Sequence, residues 1–331
     1  MAIVLGQNQY GKAETRVVRI VRDSDRHEIR DLNVSTSLRG DFADAHARGD
    51  QAHVLPTDSQ KNTCFAYARE KGIGEIEDYA LALACHFVGD VESVREARIE
   101  VDEYRWERAT VAGAGHPHTF VRAGQDVRTT AVTVREHRAD EPGRADEPDE
   151  AGRADEPGRA DEPGRADGRD RHAWVVSGLQ GLVLLKSTGS EFSGFMKDPY
   201  TTLPETTDRI MATSLTARWR YASDPADWGD CHARIRRLLI ERFAVVHSLA
   251  LQQTLWEMGK AVLAAQPCVA EIRLSAPNRH HFLADLAPFG LENPGEVFYA
   301  ADRPYGLIQC SVVREGAPAP GPAWDLFTGF A

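Results

Sequence analysis

The chain has 331 residues, with 39 Lys and Arg against 50 Asp and Glu, and a formal net charge of −11 at pH 7. This length is enough for two domains that each bury a core. The acidic balance, without a dense run of Lys or Arg, argues against nucleic acids and membrane surfaces as partners. No long apolar stretch or N-terminal leader pattern is present, so we expect a cytoplasmic protein.

The cysteines point to the same compartment. The 5 cysteines are scattered and form no Cys-x-x-Cys pair. This pattern is typical of reduced thiols in a cytoplasmic protein and gives no spacing for structural zinc. They are Cys64, Cys85, Cys231, Cys268 and Cys310.

The first half of the sequence predicts two strands, two helices and two further strands, in that order. They are expected at residues 15–22, 28–38, 58–67, 76–88, 97–101 and 127–135. The second strand has the period of two of a half-buried strand, with Leu32, Val34 and Thr36 on one face. The second helix carries an apolar stripe at i, i+3, i+7 and i+11 that starts at Ile76.

A repeat of "RADEPG" separates this half from the rest of the chain, in an insert at residues 138–171. The repeat offers nothing larger than alanine to bury, and Pro and Gly recur in it. Such a segment cannot offset the entropy of ordering, so we predict a disordered insert without a functional role. The predicted domains are therefore residues 1–137 and 172–316, with a C-terminal tail at 317–331.

The order of elements recurs after the insert. Strands, two helices and closing strands are expected at residues 174–187, 215–221, 235–246, 251–262, 270–275, 296–300 and 306–313. Strands in runs, rather than alternating with helices, favour antiparallel sheets with helices on one face. The fold class is therefore α+β, as a ββααββ unit present twice.

Three polar segments are candidates for chemistry. "PTDSQKNT" (56–63) places Asp58 or Ser59 as the cap of a helix whose N-terminus would attract an anion, or is a helix cap and nothing more. The long connection at 184–210 is either a functional loop or a surface loop packed on its own aromatic side chains. In "SAPNRHHF" (275–282), Asn278 and His280 would share one side of an extended chain. No third ligand accompanies the histidines, so no metal site is predicted.

Cofactor signatures are missing from the sequence. It contains no Gly-x-Gly-x-x-Gly after a strand, no P-loop, no His-Glu-x-x-His and no Gly-x-Ser-x-Gly. An enzyme with this sequence is expected to work without a nucleotide cofactor, a catalytic zinc or an esterase serine.

Five segments together carry a family resemblance: "YGK" (10–12), "PTDSQKNT", "LKSTGSEFSGFMKDPYTTLPETTDRI", "LALQQTL" (249–255) and "APNRHHF". In this order they resemble the urate oxidase (uricase) family over nearly the whole chain except the insert and the tail. The resemblance implies two tunnelling-fold domains and a homotetramer with active sites between subunits. It also implies oxidation of urate by O₂ and water to 5-hydroxyisourate and H₂O₂, without metal or organic cofactor.

The resemblance also implies roles in proton transfer. Lys12 matches the family lysine that acts as base. Thr57, contributed by the adjacent subunit, matches the threonine that passes the proton and positions the attacking water. His280 matches the histidine that completes this relay. The backbone N–H of Asp58 is expected to reach the purine.

Five further positions match the family's substrate contacts. Arg209 and Gln252 correspond to the pair that grips urate from two edges, and Phe192 to the aromatic ring that stacks on the purine. Leu251 contributes backbone contacts, and Asn278 corresponds to the residue that holds O₂ or peroxide above the ring.

Two alternatives stay open from the residues. One is another tunnelling-fold enzyme acting on a purine or pterin, although the hydrolytic members need a Cys and His zinc site that this spacing lacks. The other is a catalytically inactive purine-binding protein, which would not need Lys12, Thr57 and His280 together.

Overall fold

The computed structural model describes residues 2–136 and 171–325. The predicted insert lies outside these ranges except for Arg171, and so does the end of the predicted tail. The described strands are β1 (Tyr10–Val21), β2 (Glu28–Gly40), β3 (Val94–Glu103), β4 (Trp106–Val111), β5 (Ala114–Arg122), β6 (Val127–Glu136), β7 (Arg171–Lys186), β8 (Met211–Tyr221), β9 (Val269–Pro277), β10 (His280–Leu283), β11 (Phe298–Ala301) and β12 (Leu307–Val313). The α-helices are α1 (Ala43–Arg48), α2 (Thr57–Glu70), α3 (Ile76–Asp90), α4 (Trp228–Val245) and α5 (Leu251–Ala265).

One antiparallel sheet of eight strands organises the molecule, in the order β1-β2-β3-β6-β7-β8-β9-β12. Each half of the chain supplies four neighbouring strands, and β6 pairs with β7 to join the halves. The α+β class and the repeated ββααββ order are confirmed. The halves share a single continuous sheet, which the sequence pattern alone does not reveal.

The four long helices, α2 to α5, pack with the sheet in one apolar core. The predicted stripes are the faces that are buried: Ile76, Leu83 and Phe87 in α3 are 0% exposed, and Leu255 and Met258 in α5 are at most 1% exposed. Burial of each such side chain contributes about 1.5–3 kcal/mol, which is what holds the helices on the sheet. Within the described ranges, no helix has the length and apolar character needed to cross a membrane.

The opposite face of the sheet carries buried polar groups and is partly covered by the end of the described chain. A 3₁₀ turn at Gly321–Trp324 places Ala323 against Ala131 and Val176. The Arg98 guanidinium donates to the carbonyl oxygens of this turn. The first part of the predicted tail therefore packs on the second face of the sheet.

The predicted cap of α2 is wrong. The helix begins at Thr57 after an extended Pro56, and no side chain caps its first N–H groups. Asp58 lies inside the first turn, where its carboxylate accepts hydrogen bonds from Lys61 and Asn62. Pro56 occupies the capping position and has no side-chain acceptor, so Thr57, Asp58 and Ser59 fall one, two and three positions too late to cap the helix.

The closing strands of the second half also differ from the prediction. The strand expected at 296–300 does not join the large sheet, because β11 pairs only with β10 in a separate ribbon. β10 itself, helix α1 and the β4–β5 hairpin have no counterpart among the predicted elements. All 5 cysteines are free thiols, as predicted.

Candidate active site

Lys12 lies at an irregular point of the edge strand β1. The pairing with β2 is regular through Lys12 and Thr36 and resumes at Thr15 and Val34, so β1 carries one extra residue between them. Glu14 within this bulge has a φ of 56°, a left-handed conformation that costs a non-glycine residue energy. Bulges redirect the side chains beside them, and Lys12 lies directly before this one.

The glycine of "YGK" has a steric reason. A Cβ at Gly11 would lie 1.7 Å from the carbonyl oxygen of Thr36, so only glycine permits this close approach of β1 to β2. The close approach keeps Lys12 next to Thr36, whose hydroxyl oxygen accepts a hydrogen bond from the Lys12 backbone N–H at 3.2 Å.

Helix α2 brings Thr57 and Asp58 to Lys12, since α2 packs against β1. The pKa of the Asp58 carboxyl is lowered mainly by the hydrogen bond and charge of Lys61, with a smaller contribution from the charge of Lys12. Lys12 and Thr57 are half-buried, whereas Asp58 is exposed. Three of the predicted residues therefore lie together at the β1 edge of the sheet.

Phe192 and Arg209 meet in the connection between β7 and β8. Phe192 exchanges two backbone hydrogen bonds with Thr206, at 2.8 and 2.9 Å, and the Arg209 N–H donates to the Ser190 carbonyl at 2.9 Å. These bonds place the Arg209 guanidinium carbon 5.0 Å from the centre of the Phe192 ring. Burial lowers the pKa of Arg209, and its Nε is buried without a hydrogen-bond partner. A guanidinium with unused donors beside an aromatic face suits a flat anionic ligand.

Leu251 and Gln252 lie in the first turn of α5. The segment that leads into α5 is hydrogen-bonded to the connection between β7 and β8. Ser190 and Ser248 form a parallel bridge, with the Glu191 N–H donating to the Ser248 carbonyl at 2.7 Å. Leu251 is 3% exposed, whereas the Gln252 side chain is exposed. The N-terminal end of this 15-residue helix adds partial positive charge on the side of Arg209.

Asn278 and His280 follow the end of β9. Asn278 bridges to Thr213 near the start of β8, and its N–H donates to the Gly306 carbonyl at 2.8 Å. His280 opens β10 opposite Ala301, with its ring stacked on that of Phe282 at 5.7 Å between centres. Both residues are half-buried, at the end of β8 that also receives Arg209.

The predicted residues thus form two groups that one chain does not bring together. After the roles that the resemblance implies, we call Lys12, Thr57 and Asp58 the proton cluster. We call Phe192, Arg209, Leu251, Gln252, Asn278 and His280 the purine cluster. β1 and β8 are five strand spacings apart, which is about 24 Å measured along the sheet at ~4.8 Å per spacing. This separation is several times the reach of a hydrogen bond.

No group of three or more His, Cys, Asp or Glu side chains in the described part of the chain is arranged to hold a metal ion. The purine cluster offers a guanidinium, an amide and an aromatic ring. Together these groups have the chemistry that suits a flat, anionic, hydrogen-bonding molecule.

Sequence reasoning missed two supports of these clusters. Gln60 is 0% exposed and accepts a hydrogen bond from the buried Thr36. The sequence does indicate that Gln60 is buried, because Gln60 lies on the same helical stripe as the buried Cys64 and Ala68. The second support is the pair of Glu191 and His247, whose side chains approach to 2.6 Å and join the segment before Phe192 to the segment before α5. No local pattern indicates that pair, because its members lie 56 positions apart.

Comparison with protein families finds a match to the model of the uricase family over residues 8–133 and 175–309. The match covers both halves of the chain and leaves out the repeat between them. Among curated proteins, the uricase of Arthrobacter globiformis is 46% identical over 328 residues, covering 99% of this chain and 96% of the relative. The uricase of Dictyostelium discoideum is 30% identical and covers 93% of this chain and 96% of the relative.

Solved structures give the same result. The crystal structure of uricase from Arthrobacter globiformis superimposes with a TM-score of 0.83 at 46% identity, covering 98% of this chain and 99% of that one. The urate oxidase structure from Bacillus sp. TB-90 has a TM-score of 0.73 at 21% identity, and at this identity the likeness concerns the fold alone.

Proposed function

The chain belongs to the uricase family, and we propose that it oxidises urate with O₂ at a site assembled from two copies of the chain. Its activity is that of a urate oxidase, an oxidoreductase. The balanced reaction takes urate, O₂ and water to 5-hydroxyisourate and H₂O₂. We extend the cofactor-independent chemistry of the family to this chain as part of the proposal.

The purine cluster carries this proposal. Arg209 has a buried Nε without a partner and lies 5.0 Å from the Phe192 ring. A urate anion stacked on Phe192 would supply the missing acceptor, and the fork of the guanidinium matches an oxygen and a ring nitrogen of the purine. Gln252 at the start of α5 offers a donor and an acceptor to the other edge, and Leu251 contributes its backbone.

Proton handling falls to the proton cluster together with His280. In the proposed sequence of events, Thr57 passes a proton from urate to Lys12, and His280 completes the relay by a hydrogen-bonded path. The deprotonated urate is electron-rich and transfers electrons to O₂ held by Asn278 above the ring. Water positioned by Thr57 then adds to the oxidised purine, with the peroxide leaving as H₂O₂.

The distance between the clusters supports a shared site. A proton moves between groups about 2.6–3.2 Å apart, yet the two clusters of one chain are separated by about 24 Å along the sheet. We therefore propose that the proton cluster of one chain faces the purine cluster of another, within the homotetramer that the family resemblance implies. We also propose a cytoplasmic location, because the cysteines are free thiols.

The test uses two variants that damage different clusters. Lys12→Met and Arg209→Gln are each expected to lose urate turnover, measured as the fall of urate absorbance in the near ultraviolet together with H₂O₂ formation. Co-expressed in equal amounts, they should recover about a quarter of the wild-type activity, because a quarter of randomly assembled sites receive both intact clusters.

Three outcomes contradict the proposal in different ways. Recovery near zero in the co-expressed mixture would show that both clusters act within one chain. Urate binding without turnover by the wild type would favour the inactive purine-binding protein, and turnover of a pterin instead of urate would favour the other alternative.

A further inference from the structure

Two buried polar side chains lie behind the proton cluster and take no part in the proposed chemistry. Thr36 on β2 and Gln60 on α2 are both 0% exposed. A buried hydroxyl or amide costs free energy unless it is hydrogen-bonded, so such residues in a core need a specific set of partners. Here the partners are the two backbone segments that carry Lys12 and Thr57.

The hydrogen bonds form a continuous chain from β1 to the start of α2. The Lys12 N–H donates to the Thr36 hydroxyl at 3.2 Å, and this hydroxyl donates to Gln60 Oε1 at 2.7 Å. The Gln60 Nε2 donates to the carbonyl oxygen of Leu55 at 3.4 Å. The same carbonyl also accepts from the hydroxyl of Tyr10, at 3.1 Å. This series of hydrogen bonds therefore runs from the main chain of Lys12 itself to the main chain of Leu55, two residues before Thr57.

This arrangement lies beside the irregular point of β1. Lys12 is the last paired residue before the bulge, and the hydroxyl of its pairing partner Thr36 accepts a hydrogen bond from its N–H. Gln60 lies in the first turn of α2, where its own N–H donates to the Pro56 carbonyl at 3.2 Å. A shift of Gln60 would thus move the bulge on one side and the turn holding Thr57 on the other.

On the basis of the proposed function, we propose that Thr36 and Gln60 are positioning residues that fix Lys12 relative to Thr57 for proton transfer. They do not touch the substrate. They hold two elements, one strand and one helix, at the separation that a proton transfer requires. The purine cluster has its own supports on the other half of the chain, so the effect of this pair falls on kcat rather than on KM.

The experiment compares variants of nearly unchanged shape. Gln60→Met keeps the length of the side chain without its amide, and Thr36→Val keeps its volume without the hydroxyl. Thr36→Ser restores the hydroxyl and serves as the conservative rescue. Thr130→Val is the matched control, because Thr130 is a buried threonine of the same sheet whose hydroxyl donates to the Val176 carbonyl at 3.2 Å, away from Lys12.

The expected result is a split between the kinetic constants. Gln60→Met and Thr36→Val should lower kcat for urate about 10-fold to 100-fold, as for a misplaced catalytic group. KM for urate and the inhibition constant of xanthine, a purine that lacks the 8-oxygen, should stay within about twofold of the wild type. Thr36→Ser should recover most of kcat, and Thr130→Val should lose thermal stability to a similar degree as Thr36→Val while keeping kcat.

Each contrary outcome has one meaning. Wild-type kcat in both Gln60→Met and Thr36→Val overturns the inference and leaves the proposed function standing. An equal loss of kcat in Thr130→Val shows a general effect of core damage and also overturns it. Absence of urate turnover in the wild type overturns the proposed function, and the inference with it.

Discussion

The proton cluster and the purine cluster are built in different ways. Lys12 and Thr57 lie on a strand and a helix, linked by buried side chains that hydrogen-bond to the main chain. Phe192 and Arg209 lie on a long connection that is held by backbone bonds between neighbouring loops and by local side-chain bonds such as that of Thr188 to Asp208. A rigid support suits a reaction step that depends on short distances, whereas loops suit a surface that must admit and release a ligand.

The largest effect is expected at Lys12. Lys12→Met should lower kcat by about 10²-fold to 10⁴-fold, the usual contribution of a general base, while KM for urate changes little. Steady-state kinetics with urate measure both constants. Lys71→Met, an exposed lysine just after α2, is the control and should behave as the wild type. A rise of KM without loss of kcat in Lys12→Met would mean that Lys12 binds substrate.

Arg209→Lys should give the opposite signature. Lysine keeps the charge but loses the planar fork, so one charge-assisted hydrogen bond is lost and KM should rise about 10-fold to 100-fold. The effect on kcat should be smaller than that of Lys12→Met. The exposed Arg237→Lys serves as control. If Arg209→Lys lowers kcat with an unchanged KM, the assignment of substrate binding to the purine cluster and of proton transfer to the proton cluster is wrong.

The junction between the halves should respond to pH. His232 on α4 has a buried Nε2 without a partner, and burial, helped by the charge of Arg128, lowers its pKa to about 3. In the unfolded chain the pKa of this histidine is about 6.5. Between about pH 6.5 and about pH 3 the unfolded chain therefore binds a proton at His232 and the folded chain does not. The contribution of the neutral, buried His232 to the free energy of unfolding is therefore complete above about pH 6.5 and is lost as the pH falls towards 3.

Denaturant unfolding at several pH values measures this loss. Below about pH 6, the free energy of unfolding of the wild type should fall by up to about 1.4 kcal/mol per pH unit more steeply than that of His232→Gln. His46→Gln, at an exposed position, should keep the wild-type slope. Equal slopes for His232→Gln and the wild type would show that His232 does not couple folding to pH.

The smallest effect is expected from the pair of Glu191 and His247. Their side chains join the loop of Phe192 to the approach of α5, but His247 is 59% exposed, and exposed ion pairs contribute little. Glu191→Gln and His247→Asn should each raise KM for urate about twofold to fivefold, with kcat unchanged. The double variant should be no worse than either single variant, and fully additive losses would mean that the two residues act separately.

Much of the fold follows from local sequence patterns, because its helices bury regular apolar stripes. The stripes at Ile76 and Leu251 predicted α3 and α5 within a few residues of their bounds. The bulge at Glu14 was not predictable, since glutamate gives no sign of a left-handed conformation. The bond between Thr36 and Gln60 joins residues 24 positions apart, which no periodic pattern encodes.

The candidate site shows the same limit. Its residues came from motif resemblance, and their roles stay predictions until the variants are measured. The cap predicted for α2 failed because Pro56 takes the position before the helix, which moves Asp58 into the first turn. The division into two distant clusters depends on the order of strands in the sheet, and that order is a long-range property of the whole chain.

The pairing of β6 with β7 opens a practical use for the molecule. Glu136 and Arg171 are direct partners at the end of this hairpin, so the chain leaves and re-enters the sheet at adjacent points. In general, doubling the length of a flexible loop between two fixed ends costs only about 0.6 kcal/mol. The position is therefore suited to carry a fused reporter domain.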